Sequence, residues 1–228
     1  MQQILSDISL KLQEGKAKDV QELVQQALDR NIPVKDILEK GLLDGMSIIG
    51  AKFKNNEVFV PEVLIAARAM NRGVELLKPY YSESGVESKG RVCIGTVQGD
   101  LHDIGKNLVK MMLEGKGFEV FDLGTDVPAD TFIRTAVEKK CPIICLSALL
   151  TTTMPAMAEV VKAAELNGIR NNVRIMIGGA PVTDEFRIQI GADGYAPDAS
   201  SAADMALELI KTLCATNTCV TKTLNADL

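Results

Sequence analysis

Tryptophan is absent from this chain of 228 residues, aromatic side chains make up only 4%, and histidine occurs once. Without large aromatics, the cores must be built from Leu, Ile, Val, Ala and Met. A lone imidazole excludes paired-histidine acid–base chemistry and cannot by itself build a protein metal site. Basic residues are not in excess: 25 Lys and Arg stand against 30 Asp and Glu, a formal net charge of −5. That balance gives no electrostatic footprint for nucleic acid. The five cysteines, Cys93, Cys141, Cys145, Cys214 and Cys219, are odd in number and match no zinc spacing. They read as reduced thiols, Cys141 and Cys145 as part of a buried strand. The opening "MQQILSDISLKLQEGK" sets acids and amides among its apolar residues, so neither a signal peptide nor a membrane span is expected there. The expected location is the cytoplasm. Hydrophobic residues at 46% and charged residues at 24% are ordinary for a globular protein.

What is present falls into two rhythms. From residue 4 to about 82 the pattern is helical, with Val20, Leu23, Val24, Ala27 and Leu28 on one face of the second segment. Pro33 and Pro61 mark helix starts, and Pro79 marks a stop. Four helices with short connections predict an antiparallel four-helix bundle over residues 1–82. The polar stretch "YYSESGVESKGR" contains the expected linker, residues 83–90. From 91 to 215 short β-branched runs alternate with helical segments: "RVCIGTV", "FEVFDLG", "PIICLSAL", "VRIMIGG" and "ADGYAPD" are the expected strands. Such alternation predicts an α/β domain, a flavodoxin-like, doubly wound five-stranded parallel sheet covered on both faces. Residues 216–228 lack periodicity and read as a loose tail.

In such a sheet, ligands sit beyond the carboxyl ends of the strands where the strand order reverses, between strands one and three. The loop after strand one is "QGDLHDIG", with the only histidine, His102, between Asp100 and Asp103. The loop after strand three is "SALLTTT", and Gly178 and Gly179 follow strand four. No G-x-G-x-x-G and no P-loop is present, and acids at a helix start repel phosphates. A histidine beside a carboxylate suits metal ligation instead, because the carboxylate takes the second ring N–H and fixes the tautomer. Asp100 can do this for His102, and a hydroxyl among Thr151, Thr152 and Thr153 can support the carboxylate. Any metal there must bring its other ligands with it. A plainer reading of Asp103 is a charge at a helix N-terminus.

"DLHDIG" at 100–105, "SALLTTT" at 147–153 and "GG" at 178–179 resemble the D-x-H-x-x-G…S-x-L…GG signature of cobalamin-binding domains. "FVPEVLIAARAM" at 59–70 resembles the helical bundle that covers the cofactor in methionine synthase and in corrinoid proteins of methyltransferase systems. The resemblance spans roughly residues 1–215, and the length is similar to that of a stand-alone corrinoid protein of a methylamine- or methanol-type system. It implies cobalamin as the cofactor, cycling between methylcob(III)alamin and cob(I)alamin. His102 would be the lower axial cobalt ligand, Asp100 its orienting carboxylate and Thr153, where the family often has serine, the third relay member. Ser147 and Leu149 would flank the nucleotide tail, and Gly178 and Gly179 would let it thread along the sheet. Gly99, Leu101, Asp103, Ile104, Gly105 and Thr151 complete the implied contacts. Phe59 would face the cobalt–methyl side, although Phe59, Val63 and Met70 read equally well as bundle core.

The implied activity is carriage of a methyl group from a donor-specific methyltransferase to an acceptor methyltransferase using a thiol or tetrahydrofolate. A reductive activase is a further implied partner; nucleic acid and membrane are not. The chain would not be catalytic alone, and the bundle would swing away on the linker during transfer. Two alternatives remain: a cobalamin-binding sensor, and the small subunit of an adenosylcobalamin mutase. The first normally carries a DNA-binding domain, and the second normally lacks the bundle.

Overall fold

The computed structural model describes residues 2–80 and 88–216, with side chains to 213. Most of the expected linker and nearly all of the expected tail lie outside the described residues. The chain divides into two compact units, Met1–Lys89 with Leu108–Phe118, and Gly90–Asn107 with Glu119–Leu228.

The first unit is helical. α1 is Gln2–Gln13, α2 is Ala17–Asp29, α3 covers residues 34–54, and α4 is Val60–Leu77. The apolar spacing sets which faces are buried. Ile4, Leu5, Ile8 and Leu12 of α1 and Val20, Val24 and Ala27 of α2 are inside, while Leu23 and Leu28 lie half-buried at the edge. α3 is one continuous helix, as its periodicity predicts, but Ile37–Leu43 is wound as a π-helix. Gly45 lies against the Ser9 backbone, 3.1 Å from where its Cβ would stand, so α1 and α3 approach closely there. Pro33 directly precedes α3, and Pro61 sits in the first turn of α4, where a missing N–H leaves no bond unmade. Val63 and Met70 are buried in this unit, as the plain core reading expected.

The second unit holds the sheet. Its strands are β1 Arg91–Thr96, β2 Glu119–Asp122, β3 Ile143–Ser147, β4 Arg174–Gly178 and the two-residue β5 Gly194–Tyr195. The helices that follow the strands are α5 Ile104–Gly115, α6 Ala129–Glu138, α7 Pro155–Leu166, α8 Asp184–Ile190 and α9 Ala199–Thr216. The strands are parallel in the order β2-β1-β3-β4-β5, the flavodoxin-like arrangement. β1, β3 and β4 are nearly all buried, which is why they read as unbroken apolar runs. Phe132, wholly buried, packs on Gly95 of β1, where a Cβ would come within 2.8 Å of its ring.

Register aligns the strand ends. Thr96 of β1 pairs with Ser147 of β3, which pairs with Gly178 of β4. Three loops far apart in sequence therefore leave the sheet from adjacent points. α5 departs from expectation, because Leu108–Phe118 belongs to the helical unit. There Gly115 lies flush against Met46, and a Cβ on it would overlap the Met46 side chain. Its apolar period fixes a helix but not which neighbour that helix packs on.

Candidate functional site

The loop after β1 is shaped by a turn at residues 97–100. Gly99 takes φ +84°, and the Asp100 N–H donates to Val97 O at 3.1 Å. The turn places the Asp100 carboxylate fully inside the protein. Its Oδ1 is 2.7 Å from His102 Nδ1 and accepts the His102 N–H at 3.0 Å. Its Oδ2 accepts the Leu149 N–H at 2.7 Å, the Leu150 N–H at 3.3 Å and the Thr153 hydroxyl at 2.8 Å. Burial, the largest single influence, pushes the carboxyl pKa upward. The His102 and Leu149 N–H groups, the His102 ring and the Thr153 hydroxyl together outweigh it and hold the carboxyl well below the usual carboxylate range.

An ionised carboxylate only accepts, so His102 carries a proton on Nδ1, and in the neutral ring Nε2 then keeps its lone pair. The His102 side chain is 51% exposed, and Nε2 has no hydrogen-bond partner among the described residues. The buried Thr96 hydroxyl fixes the loop further by donating to His102 O at 2.8 Å.

Of the three candidate threonines, only Thr153 reaches Asp100; Thr151 and Thr152 are exposed. Asp103 starts α5, accepting the Asn107 N–H on its carbonyl at 2.8 Å and Asn107 Nδ2 on its carboxylate at 3.0 Å. Leu101 and Ile104 are 73% and 76% exposed, and Leu149 and Leu150 are also open to solvent. Four exposed apolar residues thus flank the Asp100–His102 pair, on the loops after β1 and β3 and at the start of α5. Ser147 ends β3, and its carbonyl accepts the Val97 N–H at 3.0 Å.

The glycines differ in role. Gly105 is in the first turn of α5, and a Cβ there would meet nothing within 4 Å. Gly178 has only Ala196 O at 3.6 Å. The protein itself gives neither position a reason to lack a Cβ. Gly179 is different: at φ +131° its Cβ would overlap Ala148 O, so the β3 and β4 loops themselves require it. Phe59 lies in the other compact unit, 63% exposed; its N–H is capped by Glu62 Oε2 at 3.1 Å at the start of α4.

Thr96, Lys106, Asp126 and Leu150 also hold the loop, and sequence reading missed them. Only the polar residue Lys106 inside an amphipathic helix start gave a signal.

Among the described residues no group of three or more His, Cys, Asp or Glu could hold a metal ion. A free imidazole nitrogen, exposed apolar flanks and two uncrowded glycines fit a flat metallocofactor that arrives with its other ligands. The B12 binding domain family matches residues 90–204, and a second family of the same description matches 4–78. Dimethylamine corrinoid protein 1 of Methanosarcina acetivorans is 47% identical over 176 residues, covering 77% of this chain and 83% of that one. The chain belongs to the corrinoid proteins.

Trimethylamine corrinoid protein 1 of the same organism is 44% identical over 181 residues, 78% of this corrinoid protein and 84% of that one. Among solved structures, the methanol:cobalamin methyltransferase complex MtaBC from Methanosarcina barkeri superposes with a TM-score of 0.84 at 32% identity, covering 92% of this chain and 80% of that chain. Cobalamin is thus the cofactor of this corrinoid protein, and its fold is that of a helical domain followed by a Rossmann-like B12-binding domain. No helix among the described residues is long and apolar enough to cross a membrane.

Proposed function

We propose that this corrinoid protein is the methyl-carrying subunit of a methyltransferase system, with His102 as the protein's ligand to the corrin cobalt. The observation that carries the reading is the buried Asp100 carboxylate, 2.7 Å from Nδ1 of the chain's one histidine. It holds the proton on Nδ1 and turns the Nε2 lone pair outward. Thr153 and the Leu149 N–H keep Asp100 ionised and in place. Leu101, Ile104, Leu149 and Leu150 offer an apolar surface to the face of the corrin and keep water from the ligand. Gly105, Ser147 and Gly178 leave room for the cofactor's bulk, and Gly99 shapes the turn. When bound, the cobalt supplies a nucleophile that accepts a methyl group and later releases it.

Residues 1–82 form the accessory helical part of this reading, 83–90 the joint and 91–215 the cofactor-binding part. The partners are a methyltransferase that recognises the donor, a second one that passes the group to a thiol or to tetrahydrofolate, and a reductive activase. Relatives named for dimethylamine and trimethylamine support a methylated amine as the donor class. Similarity through both halves favours the carrier over a sensor or a mutase subunit.

The test is reconstitution with cobalamin. The wild type should show the visible spectrum of an imidazole-ligated corrinoid, and His102→Ala should lose it. The loaded protein should then accept methyl groups from methylated amines only when a donor-specific methyltransferase is added. An unchanged spectrum in His102→Ala would sink the ligand assignment; methyl uptake without a partner would sink the carrier role.

A further inference from the structure

The end of β2 and the loop that follows, residues 122–126 ("DLGTD"), grip the His102 loop at both ends. At the far end Asp122 Oδ1 accepts from Lys106 Nζ at 2.6 Å and from the Gly124 N–H at 3.0 Å. Lys106 is 2% exposed and also donates to Asn107 Oδ1 at 2.7 Å, so this anchor is a buried ammonium paired with a carboxylate that stays partly in water. At the near end a single residue makes two bonds. The Asp126 carboxylate accepts the Gly99 N–H at 2.7 Å, and the Asp126 N–H donates to Asp100 O at 2.9 Å. Asp126 does so at φ +55°, a conformation few residues other than glycine adopt and one that Asp and Asn tolerate best.

Asp126 does not touch the imidazole. It holds the two backbone groups that bracket the Gly99–Asp100 peptide, and that peptide carries the carboxylate on which His102 Nδ1 rests. With the far end of the loop tied by Lys106, Asp126 adds two backbone restraints at the near end to those that Val97, Thr96, Leu149 and Thr153 make. We propose that Asp126 is a positioning residue for His102, keeping Asp100 where it selects the Nδ1–H tautomer and presents Nε2. Its consequence in the loaded protein rests on the ligand reading above; its consequence in the apoprotein does not.

His102 is the only histidine, so nitrogen NMR of untagged, labelled apoprotein reads one imidazole ring. The wild-type ring should be in the Nδ1–H form. Asp126→Ala removes both the acceptor and the tolerance for positive φ, Asp126→Gly removes only the acceptor, and Asp126→Asn keeps both. The Ala and Gly variants should move the tautomer ratio toward that of free imidazole by about tenfold, the scale of one lost hydrogen bond to a charged group. Asp126→Asn should stay with the wild type. In cobalamin-loaded protein, the Ala and Gly variants should show part of the spectrum that His102→Ala gives.

A wild-type tautomer ratio in both the Ala and Gly variants overturns the inference. So does a wild-type ring already in the free-imidazole mixture, or an equal change in Asp130→Ala, which removes an exposed carboxylate that makes none of these bonds. Failure of the ligand reading looks different. The loaded spectrum would then ignore His102→Ala, while the apoprotein tautomer would still answer to Asp126.

Discussion

The Thr153 hydroxyl lies 2.8 Å from Asp100 Oδ2, the carboxylate oxygen opposite the one that meets His102. The relay is thus threonine, aspartate, histidine, with the threonine 53 residues along the chain from the aspartate. The extra methyl of threonine is accommodated: its Cγ2 stands 3.5 Å from where a Cβ on Gly99 would be, an ordinary contact. The hydroxyl has one proton for two acceptors, Asp100 Oδ2 and Leu150 O at 2.9 Å. Thr153→Val should destabilise the apoprotein by about 1–3 kcal/mol, because a buried carboxylate loses a donor, while Thr153→Ser should cost well under that. Urea unfolding of the two variants checks the difference; equal losses would mean that packing, and not the hydroxyl, is what matters.

Asp100 also predicts an acid response. Its carboxyl is held below the usual carboxylate range in the folded state, so its contribution to stability is fully present above the unfolded value of roughly 4 and is lost as pH falls through the folded one. The stability gap between the wild type and Asp100→Asn should be constant from neutral pH down to about pH 5 and narrow below about pH 4. Unfolding curves for apoprotein at stepped pH measure it. A gap that widens on acidification would contradict the sign.

Gly105, Gly178 and Gly179 should separate cleanly. Gly105→Ala meets no atom within 4 Å and sits in a helix, so it should stabilise the apoprotein by up to about 1 kcal/mol. The same change should weaken cobalamin binding in titrations, since the added methyl occupies space left for the cofactor. Gly178→Ala should be nearly neutral in the apoprotein. Gly179→Ala should be damaging with or without cofactor, through backbone overlap with Ala148 and a strained φ. If Gly105→Ala left the affinity untouched, the cofactor would not pass over that turn.

Cys145 is buried, and burial pushes its thiol up to about 12. A thiol whose folded value exceeds the unfolded one contributes stability that is complete below about pH 8.5 and declines above it. The expected decline is about 1.4 kcal/mol per pH unit until the folded thiol itself ionises. Relative to Cys145→Ala, the wild type should therefore lose stability between about pH 9 and pH 11. In native protein at pH 8, Cys93, Cys141 and Cys145, all buried, should resist alkylation until urea opens the fold. Rapid labelling of Cys145 in the native state would show that the strand opens locally.

Much of the site was legible because loop position follows from topology. Alternating strands and helices imply a doubly wound sheet, the sheet implies a switch point, and the one histidine falls on it. The Asp100–His102 pair was legible too, since two residues in one tight turn can hardly avoid each other. Which of Thr151, Thr152 and Thr153 answers Asp100 was not. That choice depends on the pitch of the turn after β3, which puts Thr153 inside and its neighbours in water. Asp126 was invisible for a similar reason: a polar residue in a "GTDVP" loop carries no mark of being wound to positive φ.

The sequence alone determined the alternation of elements, the absence of a second histidine and the spacing that puts aspartate beside the first, because these depend on neighbours along the chain. Tertiary structure decided the rest. It matched the ends of β1, β3 and β4 in register, buried the Asp100 carboxylate among five donors, and gave Gly179 to the protein's own backbone while leaving Gly105 facing open space. It also assigned most of α5, from Leu108 on, to the helical unit. Each of these turns on which surfaces meet across long stretches of chain, and local periodicity holds no record of that.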